Sequence, residues 1–260
     1  MLAAVWHQTL LSRVEDAGIN ASAPPQQRWV DGWLLRYSHG KAKRARCVQA
    51  VAAGRLPLDE RLALCRAVFD AAGLPMLLRV TPFSLPAGLD EALAARGYSR
   101  LDDTRVMVAA PPAARPDRLP PNLQLARLGP AEFAAVVGTL RGSSLGQSAA
   151  QAQRLLASPV PYAGWVLRRQ DDPTVLACGQ IATEVDLVGL YDVFTAPEAR
   201  GQGLARLLCG QLLAQAMRDG ARTAYLQVDA DNAPARAVYR RLGFADAYAY
   251  HYRSADPGAH

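Results

Sequence analysis

The chain has 260 residues and a formal net charge of +6; half of its residues are hydrophobic and a fifth are charged. This length predicts two small domains or one large one. The apolar content excludes a disordered chain, because burial can offset the entropy lost on ordering. No stretch approaches the roughly 18 consecutive apolar residues of a membrane span, and the N-terminus lacks a secretory pattern. We therefore expect a cytoplasmic protein without a membrane partner.

The rarer residue types indicate neither disulfides nor a metal. Four cysteines lie far apart without a CxxC pair, and four histidines are scattered without metal-ligand spacing. We therefore expect free thiols and no metal site. Of the 29 basic residues 27 are arginine, and residues 1–120 carry 16 basic and 11 acidic side chains against 13 and 12 in residues 121–260. An arginine-rich composition alone is weak evidence for nucleic-acid binding, so a nucleic-acid partner is not predicted.

A proline-rich segment divides the chain. Residues 109–122 contain five prolines and no periodic apolar face. Proline fixes φ and removes a backbone donor, so this segment is predicted to be an extended linker. We place the domains at residues 1–110 and 123–260, with the linker at 111–122.

The two parts of the chain contain similar predicted elements in the same order. Each has a Gly-Trp strand entering a hairpin, an amphipathic helix, a strand, a short helix ending in Gly-aromatic, and a final strand. In the first part these lie at 31–36, 58–73, 76–80, before Gly97-Tyr98, and at 105–108; in the second they lie at 163–168, 204–220, 223–228, 233–242 and 248–252. Glycine just past a helix end is the usual C-cap. The matches predict a tandem duplication, with one additional strand in the second part at 187–195.

A glycine-rich turn connects the strand at 187–195 to the helix that begins at Leu204. Gly201 and Gly203 permit backbone conformations that leave a run of N–H groups unpaired at the helix start. Such N–H groups bind phosphate together with the positive end of the helix dipole, and Arg200 and Arg206 flank them. The turn fits neither a Walker loop nor a Rossmann fingerprint. Taken alone, it is also compatible with an ordinary capped connection.

A second motif downstream decides between these interpretations. The patterns Arg200-x-x-Gly203-x-Ala205 and Asn232-x-x-Ala235-x-x-x-Tyr239-x-x-x-Gly243-Phe244 together resemble the GNAT superfamily of acyl-CoA N-acyltransferases. The resemblance covers residues 123–254 well. The first part resembles it only in outline, because it lacks the phosphate motif and has Leu93 at the register of Tyr239. The implied fold class is α/β (α+β), with two GNAT-like domains, each a mixed, mostly antiparallel sheet flanked by helices. The first domain is degenerate.

The resemblance also implies a function and a single cofactor site in the second part. The implied reaction transfers an acetyl group from acetyl-CoA, as co-substrate, to a primary amine of a small molecule or peptide by direct attack in a ternary complex. The alternative is a non-catalytic acetyl-CoA-binding or regulatory protein that retains the fold. The implied cofactor-binding residues are Phe194, Thr195, Arg200, Gly201, Gln202, Gly203, Leu204, Ala205, Arg206, Asn232, Ala235 and Tyr239.

The catalytic groups follow in part from the resemblance. Tyr239 matches the position that donates a proton to the departing thiolate, which a phenol can do because it is protonated at neutral pH. The alternative for Tyr239 is a packing role. Asp192 is a candidate general base, alongside Glu184, Asp186 or a relaying water. Strand alternation predicts Asp192 and Phe194 on one face and Val193 and Thr195 on the other. Asn232 could bind the cofactor or cap the helix that follows it.

A basic stretch in the first part stands apart from these motifs. No acidic residue occurs between Asp31 and Asp59. The segment is predicted to form a hairpin tip with its turn at 38–40. It is interpreted either as a solvated surface or as a platform for an acidic substrate or RNA. Its basic residues are Arg36, His39, Lys41, Lys43, Arg44 and Arg46.

Overall fold

The computed structural model describes residues 7–110 and 117–256. Residues 111–116 of the predicted linker lie outside the described residues, and the part from 117 to 122 forms neither helix nor strand. The helices are α1 (Gln8–Ala21), α2 (Leu58–Ala71), α3 (Leu89–Ala94), α4 (Pro130–Leu140), α5 (Leu145–Leu156), α6 (Leu204–Arg218) and α7 (Ala233–Arg241). The strands are β1 (Gln27–Val30), β2 (Trp33–Arg36), β3 (Val48–Gln49), β4 (Leu78–Val80), β5 (Ser99–Ala109), β6 (Leu123–Leu128), β7 (Tyr162–Arg169), β8 (Asp172–Glu184), β9 (Leu187–Thr195), β10 (Thr223–Asp229) and β11 (Ala245–Ser254).

The described strands form a single sheet in the order β1-β2-β3-β4-β11-β5-β10-β9-β8-β7-β6. Neighbours are antiparallel except for β3 with β4 and β9 with β10, which are parallel. Each parallel pair is joined by a crossover helix, α2 or α6, as parallel pairing requires. The predicted mixed, mostly antiparallel sheet flanked by helices is confirmed.

The two parts of the chain exchange their last strands. β11, from the second part, pairs with β4 of the first, whereas β5, from the first part, pairs with β10 of the second. β5 and β11 also pair with each other at the centre of the sheet. The order β4-β11-β5-β10 therefore maps onto itself when the two parts are interchanged. The division into domains at the linker stays a prediction, because the sheet continues across it.

The Gly-Trp match between the two parts is wrong by one strand. Trp33 begins β2, which pairs antiparallel with β3, the strand parallel to β4. Trp165 lies in β7, and the strand in the corresponding place is β8. β1 to β4 thus correspond to β7 to β10, so β9 is not an additional strand: its counterpart is the two-residue strand β3. The short apolar pattern Gly-Trp-x-Leu-Arg suits any hairpin strand, and for this reason it misaligned the two parts.

Helices cover both faces of the sheet. On one face, α1 buries Val14 and Ala17 against Val106 and Val108 of β5. On the other face, Met107 of β5 belongs to the cluster that contains the apolar side of α6. α2 and α3 build the corresponding cluster in the first part around the buried Phe69 and Leu93. Alternation along β5 therefore supplies two apolar layers, which fix the sheet between the helices.

Candidate active site

The candidate site lies where β9 and β10 separate. Their parallel ladder runs from the pair Leu187 and Thr223 to the pair Leu190 and Leu226 and ends there. Beyond it β9 contains a bulge, because two residues, 192 and 193, oppose the single residue Gly179 of β8. Asp192 in this bulge has φ +49°, in the left-handed region that aspartate tolerates better than most residues. The bulge turns the end of β9 away from β10, which opens a gap between the two strands.

The glycine-rich turn forms one wall of this gap. Gly201 and Gly203 have φ values of +77° and +75°, and Gly203 is the N-cap of α6. A Cβ at either glycine would meet nothing within 4 Å, so the space above the turn is open. The start of α6 thus borders an open space, and the binding of phosphate by its N–H groups stays a prediction. Glycine is needed for the backbone conformation rather than for space.

A cavity of about 600 Å³ spans the turn and the helix α7. Its size and its helix N-terminus fit a ligand with an anionic phosphate group and an apolar arm. Eleven of the twelve predicted cofactor-binding residues line it; only Gln202 does not. The lining residues in the predicted set are Phe194, Thr195, Arg200, Gly201, Gly203, Leu204, Ala205, Arg206, Asn232, Ala235 and Tyr239.

The two arginines at the turn are held differently. The guanidinium of Arg200 lies 5.7 Å from the ring centroid of Phe194, and its Nε donates to the carbonyl of Thr195 at 3.4 Å. Arg206 forms an exposed ion pair with Asp117 at 2.8 Å. Exposed pairs are weak, so Arg206 can exchange this partner for a phosphate oxygen at little cost.

A second cavity, of about 370 Å³, adjoins the first. Val193, Asn232, Ala235 and Tyr239 line both cavities. The rest of the second cavity is built by both parts of the chain, with Tyr191 from β9, Gln227 from β10, Tyr250 from β11 and the segment 42–44 from the first part. We call it the acceptor pocket.

Tyr239 stands at the junction of the two cavities. Its side chain is buried, and its ring packs edge-on against Phe244 with centroids 6.1 Å apart. In the described part of the chain its hydroxyl has no hydrogen-bond partner, and burial raises the pKa of the phenol above its ordinary value. The hydroxyl is therefore held protonated and free to donate. The ring thus has the packing role that was the alternative interpretation, and the role of the hydroxyl as proton donor stays a prediction.

Asp192 reaches the acceptor pocket but is not free. Its carboxylate pairs with Arg141 at 2.8 Å and accepts from the side-chain amides of Gln151 at 2.9 Å and Gln180 at 2.5 Å. Asp192 and Phe194 both contact the α4 and α5 side of the sheet, whereas Val193 packs on the α6 side. These faces agree with the predicted alternation, and the bulge adds Tyr191 to the face of Asp192.

The other two candidate bases lie elsewhere. Glu184 accepts from Asn20 at 3.1 Å, and Asp186 pairs with Arg13, both at the turn that precedes β9. The length of β9, about 25 Å at 3.3 Å per residue, separates that turn from the glycine-rich turn. The structure does not bring Glu184 or Asp186 to the site. Strand alternation alone could not exclude them, since it predicts the face of the sheet on which a side chain lies and not the end of the strand at which it lies.

Asn232 fulfils the capping interpretation. Its Oδ1 accepts from the backbone N–H of Ala235 at 3.2 Å and so caps α7. Its position in the lining of both cavities leaves the second interpretation, a contact with the cofactor, as a prediction.

The basic stretch is a solvated surface only in part: His39 and Lys41 are exposed, whereas other basic residues of the segment fold inward. Arg36 is buried and donates to the carbonyl of Ile19 at 2.7 Å. Lys43 pairs with Asp102 at 2.9 Å, and Arg44 lies against tyrosine rings in the acceptor pocket. The turn at 38–40 forms, with the Ser38 hydroxyl accepting from the N–H of Gly40 at 3.2 Å. The segment folds inward because α1 and β11 pack across it.

Sequence reasoning missed several residues of the acceptor pocket. Arg141 comes from the loop between α4 and α5, Asp102 and Thr104 come from β5, and Tyr250 comes from β11. Only the exchange of last strands brings β5 and β11 beside β10, and no local pattern signals such an exchange. Asp229 at the end of β10 could have been predicted, since it lies close to Asn232 in the sequence.

The corresponding position in the first part is closed by a side chain. Asp31 accepts the backbone N–H groups of Arg55 and Leu56 at the approach to α2, each at 2.9 Å, and pairs with Arg61 at 2.8 Å. A protein carboxylate thus takes the place that the turn of the second part leaves open. A cavity of about 610 Å³ does lie beyond β3 and β4, but its charged lining is mainly acidic and would repel phosphate. The acidic lining residues are Glu15, Asp16, Asp90 and Glu91.

Three further features bear on the sequence predictions. In residues 7–110 and 117–256, the His, Cys, Asp and Glu side chains form no group of three that could ligate a metal. Across the same ranges, every helix is too short or too polar to pass through a bilayer. The four cysteines are buried free thiols.

A comparison with protein families decides the assignment. The profile of the family described as "Probable histone acetyltransferase Rv0428c C-terminal" matches residues 11–253. The chain belongs to this family. It is a GNAT-superfamily acyltransferase, as the two motifs predicted, and the N-acetyltransferase relatives support the enzyme over a non-catalytic protein.

Individual relatives agree along most of the chain. The uncharacterized N-acetyltransferase YobR of Bacillus subtilis (strain 168) is 26% identical over 234 residues, which cover 87% of this chain and 91% of that protein. A GCN5-related N-acetyltransferase from Kribbella flavida superposes with a TM-score of 0.69 at 17% identity over 95% of each chain. A tandem GNAT protein from the clavulanic acid biosynthesis pathway gives a TM-score of 0.60 at 16% identity, over 82% of this chain and 76% of that one. The tandem GNAT fold is therefore confirmed.

Proposed function

We propose that the chain transfers an acetyl group from acetyl-CoA directly to a primary amine while both are bound. The observation that carries this proposal is the wall shared by the two cavities, formed by Val193, Asn232, Ala235 and Tyr239. One cavity opens on a phosphate-binding turn and the other on charged and polar side chains. A donor and an acceptor that meet at such a wall gain the proximity that accounts for much of a transfer rate.

The donor side is assigned to the predicted cofactor residues. The N–H groups from Gly201 to Ala205 would bind the diphosphate, with Arg200 and Arg206 adding charged hydrogen bonds. The gap beside β9 would hold the pantetheine arm, since the ladder with β10 ends at Leu190. Backbone N–H groups near Phe194 and Thr195 would polarise the thioester carbonyl.

The acceptor side supplies the proton transfers. The amine nitrogen must lose a proton as it bonds to the carbonyl carbon, and the sulfur must gain one as the C–S bond breaks. Asp229 is exposed at the pocket rim without a cationic partner among the described residues, so it can take the first proton, directly or through water. Tyr239 gives the second proton to the sulfur. Asp192, the base candidate from the sequence, would orient Arg141 and the two glutamines.

The test is the release of free thiol from acetyl-CoA in the presence of amines, amino acids, polyamines and peptides. We expect amine-dependent thiol release and one acetylated amine, identified by mass spectrometry, for each thiol released. Thiol release that is independent of amine would contradict the proposed acceptor. A protein that binds acetyl-CoA but turns over no amine would favour the non-catalytic alternative.

A further inference from the structure

The charged side chains of the acceptor pocket do not balance in pairs. Three cations and three carboxylates line it. Two of the cations have carboxylate partners inside the pocket, Lys43 with Asp102 at 2.9 Å and Arg141 with Asp192 at 2.8 Å. Within the described ranges, Arg44 and Asp229 have no such partner. The pocket thus keeps one positive and one negative group for what binds there.

Arg44 is surrounded by phenol rings. One Nη donates to the Tyr250 hydroxyl at 3.3 Å, and the guanidinium carbon lies 5.8 Å from the ring centroid of Tyr191. Its Nε is buried without a partner among the described residues. The carboxylate of Glu15 acts on Arg44 through space, but Glu15 is bound by Arg79 and by the Tyr248 hydroxyl at 2.7 Å. A cation drawn out of water without a counter-charge is costly, and an arriving anion removes that cost.

Neighbouring groups hold Arg44 in place. The Tyr250 hydroxyl also donates to Oε1 of Gln227 at 2.8 Å, which fixes the phenol that Arg44 contacts. Burial would raise the pKa of Tyr250, but Arg44 and Arg79 outweigh it and lower the pKa below its ordinary value. A guanidinium presents a planar fork of donors that matches a carboxylate or phosphate.

Asp229 lies toward the cofactor cavity. Asp229 precedes Asn232, which lines both cavities, by three residues. Its carboxylate accepts the backbone N–H of Asp231 at 3.0 Å. A carboxylate there suits an incoming ammonium group. The pocket volume of about 370 Å³ matches a molecule of roughly amino-acid size.

We propose that the acceptor is a small amine that carries an anionic group, a carboxylate or a phosphate, and that Arg44 binds this group. The amine end lies near Asp229 and Tyr239, and the anionic end lies among the tyrosines of β9 and β11. The proposal rests on the proposed function, since it concerns the acceptor of that transfer. In this proposal the first part of the chain, through Arg44, selects the acceptor.

The test compares amines that differ only in the anionic group. Matched pairs are L-phenylalanine with 2-phenylethylamine, L-lysine with 1,5-diaminopentane, and O-phosphoethanolamine with ethanolamine; the first two report on carboxylate and the third on phosphate. We expect the anionic member of at least one pair to have a kcat/KM at least about tenfold higher. Arg44→Met should lower that value about 10- to 100-fold, mainly through KM, and change the neutral member less than about threefold.

Two variants control for charge and geometry. Arg44→Lys keeps the charge without the fork and should fall between wild type and Arg44→Met. Arg28→Met removes the same charge from exposed β1 and should preserve the preference. Turnover of the neutral amines by Arg44→Met shows that the variant is folded. Calorimetric titration of the anionic amine into the protein with coenzyme A gives a readout independent of turnover, and its affinity should drop in Arg44→Met.

Two results would overturn the inference and leave the proposed function standing. They are the absence of a preference for the anionic member in every pair, and an unchanged preference in Arg44→Met. Binding of acetyl-CoA with acetylation of neither series, or failure of acetyl-CoA to bind, would instead reject the proposed function itself.

Discussion

The carboxylate of Asp31 accepts the backbone N–H of Leu56 at 2.9 Å, at the approach to α2. The corresponding place in the second part, in front of α6, is open above Gly203. The two parts share one plan of strands and crossover helix, yet one fills its anion position with its own carboxylate. This gives a physical reason for the single cofactor site that we propose for a duplicated fold.

Replacing Asp31 should destabilise the first part. In Asp31→Asn the carboxylate that accepts from Leu56 and Arg55 and pairs with Arg61 is lost, so a lower Tm is expected. Hydrogen bonds from Leu56 and Arg55 lower the pKa of Asp31, so its contribution is present above the unfolded pKa and is lost as the pH falls below it. Thermal melts at pH 7 and pH 3 test this: the difference in Tm between wild type and variant should be smaller at pH 3. An equal difference at both pH values would contradict it.

Tyr239→Phe tests the proton donor. Because the hydroxyl is free and protonated, we expect kcat to fall about 10- to 100-fold with little change in the KM for acetyl-CoA. Thiol release under saturating amine measures this. Tyr37→Phe is the matched control, since Tyr37 packs in the cluster of the first part, away from both cavities. Full turnover by Tyr239→Phe would leave the residue with a packing role only.

Asp229→Asn and Asp192→Asn separate the proton acceptor from the positioning residue. We expect Asp229→Asn to lower kcat for the amine about 10- to 100-fold. Asp192→Asn should raise the amine KM instead, because Arg141 loses its partner. Initial rates over a range of amine concentrations distinguish the two. The reverse pattern would return the role of base to Asp192.

The buried pair of Glu15 and Arg79 should dominate acid stability. Burial would raise the pKa of Glu15, but Arg79 and the hydroxyl of Tyr248 outweigh it and lower the pKa. The stabilisation is therefore complete above the unfolded pKa, about 4.3, and is lost as the pH falls through the folded value.

Glu15→Gln should cost about 3–5 kcal/mol at pH 7, because it leaves the Arg79 cation buried without its counter-ion. Urea unfolding at pH 7 and pH 3.5 measures it, with a smaller difference expected at the lower pH. Asp59→Asn, in an exposed pair with Arg96, is the control and should change stability far less. Equal losses in the two variants would contradict this account.

Local patterns were sufficient to predict the strand and the turn that border the candidate cofactor cavity. Gly201 and Gly203 adopt positive φ, and β9 has the bounds read from its apolar run. Both features depend on residues within about ten positions of each other. The bulge at Asp192 was not foreseen, since it depends on the register with β8, a strand the sequence reading did not include.

The acceptor pocket could not be predicted in the same way. Arg44, Asp102 and Tyr250 are more than 50 residues apart in sequence and meet only because β5 and β11 lie side by side. The charge count located a basic excess in the first part. Whether Arg44 faces water or phenol rings depends on the exchange of the last strands, β5 and β11, between the two parts.

Acetyl-CoA binding measured by calorimetry, in wild type and in Gly203→Glu, tests the central claim most directly. We expect one molecule bound per chain, and an affinity at least about 100-fold weaker in Gly203→Glu, whose carboxylate would enter the anion position. Gly73→Glu is the control, because Gly73 has a similar φ of +64° and equally open space at the end of α2. It should bind as wild type does. Two molecules per chain, or an unchanged affinity in Gly203→Glu, would contradict a single cofactor site at this turn.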